Sequence, residues 1–207
     1  MQWIAMITML IDHIGLVFFP DQEMWRVIGR IAFPIYVYAL VQGHFHTSSR
    51  PRYMMRLAVI AVISQIPYQL ALDPYGLNVV VTLFVGAVIL YLLDRSESAI
   101  LSVILVIAAC VVMNDLPFDY GAYGLLLILI FRYASSAWLV PCHIMLNLLF
   151  WLLNNWEMQM WSVLPTVVIA YGPEFWKRLE SMQVSRWVWR SFYPLHLVLI
   201  ALARYIM

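Results

Sequence analysis

Apolar runs long enough to cross a lipid bilayer recur from one end of this chain to the other, with only short polar stretches between them. A helix needs about 20 such residues to span the hydrocarbon layer, where only helices and closed barrels satisfy their own backbone polar groups. The pattern predicts helices at Trp3 to Phe19, Trp25 to Val41, Tyr53 to Ala71, Asn78 to Leu93, Ile100 to Met113, Tyr120 to Phe131, Ala137 to Leu153, Trp161 to Tyr171 and Phe192 to Met207. The expected fold is an all-α, polytopic transmembrane bundle of about nine spans, or eight full crossings if a short sixth or eighth span is re-entrant. A hydrophobic fraction of 64%, a charged fraction of 11% and a mean hydropathy of +0.85 exceed what a water-soluble domain carries. With 207 residues, the chain is expected to be a single integral membrane domain.

The first apolar run has no basic residue before it and no small-residue cleavage signature after it, so it is expected to be retained. Basic residues in short connections stay on the cytoplasmic side. The even-numbered connections hold Arg50 and Arg52, then Arg95, then Arg132, then Lys177, Arg178, Arg186 and Arg190. The odd-numbered ones hold Asp21, Glu23, Asp73, Asp115, Asp119 and Glu157, with only Arg26 against them. This alternation predicts a cytoplasmic N-terminus. The stretch from Pro173 to Arg190 reads as an interfacial helix. Cys110 and Cys142 fall inside apolar runs and read as packing residues.

At about 1.5 Å of rise per residue, Asp12 and His13 lie roughly 9 to 11 Å below the outer end of the first helix, and Arg30 roughly 8 Å below that of the second. Adjacent residues on a helix diverge, so Asp12 is expected to pair with Arg30 rather than with His13. Gln65, Tyr68, Asn78, Thr82, Tyr120 and Tyr123 also fall in the outer half and outline a polar pocket. A second group gathers toward the cytoplasm: His44, His46, Arg50, Arg52, Arg56, Arg132, His143, Tyr193 and His196. That group is basic and suits an anionic ligand.

Blander readings stand beside these. The Asp12 to Arg30 pair could fix helix register, and His13 could hydrogen-bond a backbone carbonyl, although a histidine beside a buried acid is a good general-base candidate. His44 and His46 read as exposed loop residues lacking a third ligand, so no metal is expected. Arg50 and Arg52 could be topology signals, whereas Arg56 lies a turn inside its helix.

The motifs, in order, resemble a known family. They are Ala5 to Gly15 ending in Phe18-Phe19-Pro20; Gly29-Arg30-Ile31-Ala32-Phe33-Pro34-Ile35; Gly43 to Thr47; Tyr53 with Arg56-Leu57; Ser64-Gln65-Ile66-Pro67-Tyr68; Asn78 with Thr82-Leu83 and Gly86; Asp119-Tyr120-Gly121-Ala122-Tyr123-Gly124; and Phe192-Tyr193-Pro194-Leu195-His196. Nearly the whole chain resembles TraX-type proteins, the pilin N-acetyltransferases of conjugation systems and their bacterial relatives. More distantly it is similar to the transmembrane acyltransferases, including the lysosomal glucosaminide N-acetyltransferase, in which a histidine on an early span is catalytic. His13 is the matching position.

The resemblance implies a protein of the bacterial cytoplasmic membrane that takes an acetyl group from cytoplasmic acetyl-CoA to an amine or hydroxyl at the outer side: a pilin N-terminus, another peptide, a sugar or a secreted metabolite. Arg50, Arg52, Arg56 and Arg132, with Tyr193 and His196, would bind acetyl-CoA. His13 would act as general base, with Asp12, Arg30 or Asn78 orienting it or stabilising the oxyanion. Direct transfer is preferred over an acyl-histidine or acyl-Cys142 intermediate. Neither metal nor nucleic acid is implied. The competing class is a small transporter or flippase that uses the buried charges, against which no internal repeat is visible. A third is a scaffold whose polar residues only join helices.

Overall fold

The computed structural model describes residues 1–172 and 184–206. Among them the chain is helical, and the extended pairing is a single bridge between Leu77 and Phe118. Helix α1 (Gln2–Phe18) stops where Pro20 bars Phe19 from helical geometry. The expected second span is two helices, α2 (Glu23–Gly29) and α3 (Ala32–His46). Pro34 has no N–H to offer the Arg30 carbonyl, so the ladder breaks at Arg30. Helix α4 (Arg50–Ala71) opens on Pro51 and contains Pro67. Asn78 caps α5 (Val79–Leu93), its side-chain oxygen accepting from the Val80 N–H at 3.0 Å, and Ser98 caps α6 (Ala99–Asp115) in the same way.

Tyr120 and Gly121 both have positive φ where the chain turns into α7 (Gly121–Tyr133). Helix α8 (Ser136–Asn154) ends on the left-handed Asn155. A 3₁₀ segment (Glu157–Ser162) then leads into α9 (Val163–Tyr171). The last helix, α10 (Arg186–Ile206), starts six residues before the expected Phe192. Of the stretch read as an interfacial helix, residues 173–183, with Lys177 and Arg178, lie outside the described residues; Arg186 to Arg190 form the first turns of α10.

The helix ends gather into two groups. Helices α3, α5 and α7 form the centre through Phe33, Val37, Leu40, Leu83, Leu90, Tyr123 and Leu127. Helix α1 packs on α2 and α3, and α10 lies against α4 and α1. At one end the two connections preceding α5 and α7 are stitched together: the Leu77 N–H donates to the Pro117 carbonyl (2.7 Å) and the Asp119 N–H to the Leu77 carbonyl (3.0 Å).

At the other end Asp94 gathers His44 (2.9 Å), Arg50 (3.0 Å) and Arg132 (3.0 Å). Burial alone would raise the Asp94 carboxyl. The hydrogen bonds from His44 and Arg132 and the charges of Arg132 and Arg50 outweigh it and hold the group below its ordinary range. His44, expected to be exposed, is buried here because α3 runs on to His46 and carries it against the end of α5.

Large apolar side chains cover the outside, among them Ile100, Val103, Ile104, Ile107 and Val111 on one face of α6. Such a face has no counterpart on a water-soluble monomer and is compatible with a lipid environment. Three helical stretches, Glu23–His46, Arg50–Ala71 and Ser136–Asn154, are long and apolar enough to cross a membrane; α1, α5, α6 and α7 are apolar but shorter.

Candidate functional site

Two glycines bring α1 and α2 into backbone-close contact. A Cβ at Gly15 would stand 2.1 Å from the Trp25 Cβ, and one at Gly29 would stand 2.1 Å from Asp12 Oδ1. This closeness puts Asp12 within reach of two arginines. Arg30 Nη2 donates to both Asp12 oxygens at 3.1 and 3.2 Å, and Arg26 Nε lies 3.2 Å away as a charge contact without hydrogen-bond geometry. Arg30 also donates to Gln159 Oε1 (3.3 Å) and sits 5.8 Å over the Tyr120 ring. The pairing expected from helix depth is therefore present, and Arg26 joins it.

Asp12, His13, Arg26 and Arg30 line a cavity of about 630 Å³ together with Tyr68, Asp73, Asp119, Tyr120, Glu157 and Gln159. Burial pushes the Asp119 carboxyl up to about 6 although Arg30 opposes the shift.

His13 is buried, and its Nδ1 lies 2.8 Å from His196 Nε2, the two rings being nearly parallel. His196 Nδ1 is 2.7 Å from the Phe192 carbonyl oxygen. A carbonyl can only accept, so His196 Nδ1 carries a proton and, in a neutral ring, its Nε2 accepts. His13 Nδ1 is then the donor, and its Nε2 keeps a lone pair. That nitrogen makes no hydrogen bond among the described residues.

A second cavity of about 340 Å³ approaches from the other end. Arg56, Arg186 and Arg190 line it together with Tyr36, Tyr53, Trp189 and Tyr193. The Tyr193 hydroxyl is buried beside the Val79 backbone amide, and its own proton has no acceptor among the described residues. Met9 and Val79 belong to the walls of both cavities.

The remaining candidates fall elsewhere. Asn78 is fully buried and fully occupied, its amide donating to the Ala61 carbonyl (2.8 Å) and Gln65 Oε1 (2.7 Å), and it lines neither cavity. Arg50 and Arg132 are held by Asp94, and Arg132 lies between the Phe45 and Tyr133 rings. Arg52 is exposed and, like Cys142, lines neither cavity. His196 stands level with His13 rather than in the basic layer, because α10 begins early and places it three turns in. His143 lies deeper than expected: its Nε2 is 3.0 Å from the Tyr123 hydroxyl, and its Nδ1 accepts from Thr166 at 2.8 Å.

Sequence reasoning missed Arg26 as a partner, although it was the one basic residue among the acidic connections. It took Arg186 and Arg190 for topology signals. Nothing marked Gln159 or Val79, and Met9 stood only as part of the first motif.

Relatives of this chain include a probable fimbrial assembly protein FimC, serogroup H1, of Dichelobacter nodosus, 27% identical over 97% of this chain and 93% of that protein. An uncharacterised protein of Rickettsia prowazekii (strain Madrid E) is 27% identical over 45% of this chain and 36% of its own. No solved structure matches. The family model described as TraX protein matches residues 1–204, and the chain belongs to that family.

Proposed function

We propose that this chain is a membrane-embedded acetyltransferase of the bacterial cytoplasmic membrane. It carries an acetyl group from cytoplasmic acetyl-CoA to an amine or hydroxyl that arrives from the outer side. The observation that carries the reading is His13: a free ring nitrogen on the wall of one cavity, beside the two side chains that this cavity shares with a second, arginine-lined one. The family and the fimbrial assembly relative favour a pilus protein as acceptor, with another peptide, a sugar or a secreted metabolite in the same chemical class.

Arg56, Arg186 and Arg190 would hold the coenzyme's phosphates, and the tyrosines of the inner cavity would flank its arm. The thioester would reach Met9 and Val79. The acceptor nitrogen or oxygen attacks its carbonyl carbon, and the new bond forms as the C–S bond breaks. The acceptor's proton passes to His13 Nε2 and from there to the departing sulfur. The Tyr193 hydroxyl proton is available to the developing oxyanion, a role Asn78 cannot fill while its groups are occupied. Asp12 offsets part of the charge of Arg26 and Arg30 on the wall of the acceptor's cavity.

Calorimetry of acetyl-CoA with the purified protein in detergent tests this. Wild type is expected to bind, Arg56→Ala to bind about tenfold more weakly, and His13→Ala to bind normally while losing about 10²- to 10⁴-fold in transfer. Absence of wild-type binding at millimolar ligand, a regime of roughly 4 kcal/mol, would sink the reading. The transporter that uses the buried charges would then take its place.

A further inference from the structure

A general base must present a lone pair to its substrate, and a buried imidazole has only one to present. Which nitrogen carries it is decided by whatever holds the other. In many sites that partner is a carboxylate. Here the nearest carboxylate along the chain, Asp12, faces away toward Arg30 and Arg26. His13 instead meets a second histidine, and the geometry points to His196 as the positioning residue that fixes the tautomer of His13. This inference rests on the acetyltransferase reading for its consequence, but not for its structural content.

The chain of contacts has one direction. The Phe192 carbonyl accepts from His196 Nδ1, and His196 Nε2 accepts from His13 Nδ1. Each contact is 2.7 to 2.8 Å, and each acceptor is left with one choice of donor. Reversing the His13 proton would put two lone pairs face to face at 2.8 Å and turn an N–H toward the substrate. The orienting acceptor is also poorly replaced from solvent. His196 backs onto a groove lined by Leu10, Ile14, Leu195, Leu199 and Ile200, and by Ser191, whose hydroxyl donates to the Trp187 carbonyl at 2.8 Å. With the Ser191 hydroxyl proton already given to a carbonyl, a water there would find few polar partners beyond the histidine itself.

The stacked Phe192 ring, 4.6 Å from that of His196, holds the second imidazole in plane with the first. When His13 takes the acceptor's proton, its Nδ1–H becomes the donor of a charge-assisted hydrogen bond to His196. That bond strengthens as charge develops. His143 shows the contrast: both of its nitrogens are occupied within a closed network of Tyr123, Ser162 and Thr166, so it has no nitrogen to offer.

The test compares wild type, His196→Gln, whose amide oxygen can still accept, and His196→Leu, which cannot. Ring ¹⁵N shifts of His13, recorded in detergent micelles, report the protonated nitrogen. Transfer from acetyl-CoA to a short peptide with a free N-terminal amine reports kcat and KM. Wild type and His196→Gln are expected to protonate Nδ1. His196→Leu is expected to populate the other tautomer and to lose about 10²-fold or more in kcat, with KM for acetyl-CoA within about twofold. His196→Gln is expected to recover most of that loss. A proton on Nε2 in wild type, or a wild-type kcat in His196→Leu, would overturn the assignment. A wild type that binds acetyl-CoA but has the Nδ1 proton and no transfer to any amine would leave the tautomer standing and overturn the enzymatic consequence drawn from it.

Discussion

Among the described residues, His13, His44, His143 and His196 are all buried, and their hydrogen bonds sort them. His143 and His196 have both nitrogens engaged, and His44 is tied to Asp94. His13 alone combines a held nitrogen with a free one on a cavity wall. One helical turn away, Met9 lines both cavities and, on the proposed reading, limits the space for the acyl group between them. Met9→Ala is therefore expected to raise the rate with propionyl- or butyryl-CoA relative to acetyl-CoA by about tenfold, the worth of one or two methylenes in an apolar pocket; competition assays with the three thioesters measure it. The level shared by Asp12 and Arg30 was legible in the sequence, because helical rise is fixed and few charges occur in apolar runs. The His13 to His196 contact was not. Arg186 and Arg190 disguised the first turns of α10 as a surface segment, which shifted His196 toward the cytoplasm in the reading.

At the level of elements, the helices themselves were legible from hydropathy to within a few residues, and their breaks were not. The division of α2 from α3 rests on one missing N–H at Pro34, which a sequence window averages away. The cluster at Asp94 was equally hidden: its carboxylate and three basic partners come from four helix ends, and Arg50 and Arg132 read as topology signals or as binders of an anionic ligand rather than as partners of an acid. That carboxyl is held below its ordinary value, so the stability it contributes is present above the unfolded value and lost as pH falls through the folded one. Asp94→Asn is expected to cost about 1 to 3 kcal/mol at pH 7, through unpaired Arg50, Arg132 and His44. The gap from wild type should close as the pH drops below about 4. Thermal unfolding in detergent across that range checks both the size and the sign.

For the molecule as a whole, the two ends differ in character: Asp94 and its basic partners at one, the acid-rich larger cavity and its stitched connections at the other. The basic end is expected to face the cytoplasm. Single cysteines placed at Ser96 and at the exposed Tyr75, in a chain whose Cys110 and Cys142 are replaced by alanine, should be labelled by an impermeant maleimide from opposite faces of oriented vesicles. Labelling of both from one face would refute the arrangement. Met9 and Val79 are all that the two cavities have in common. Cavities that meet at two shared side chains would, on the proposed reading, let a group as small as acetyl change compartments while the carrier that brought it stays behind. On the proposed reading, a cell could decorate molecules beyond its membrane without exporting a nucleotide, and would recover the free thiol on the side where it is recharged.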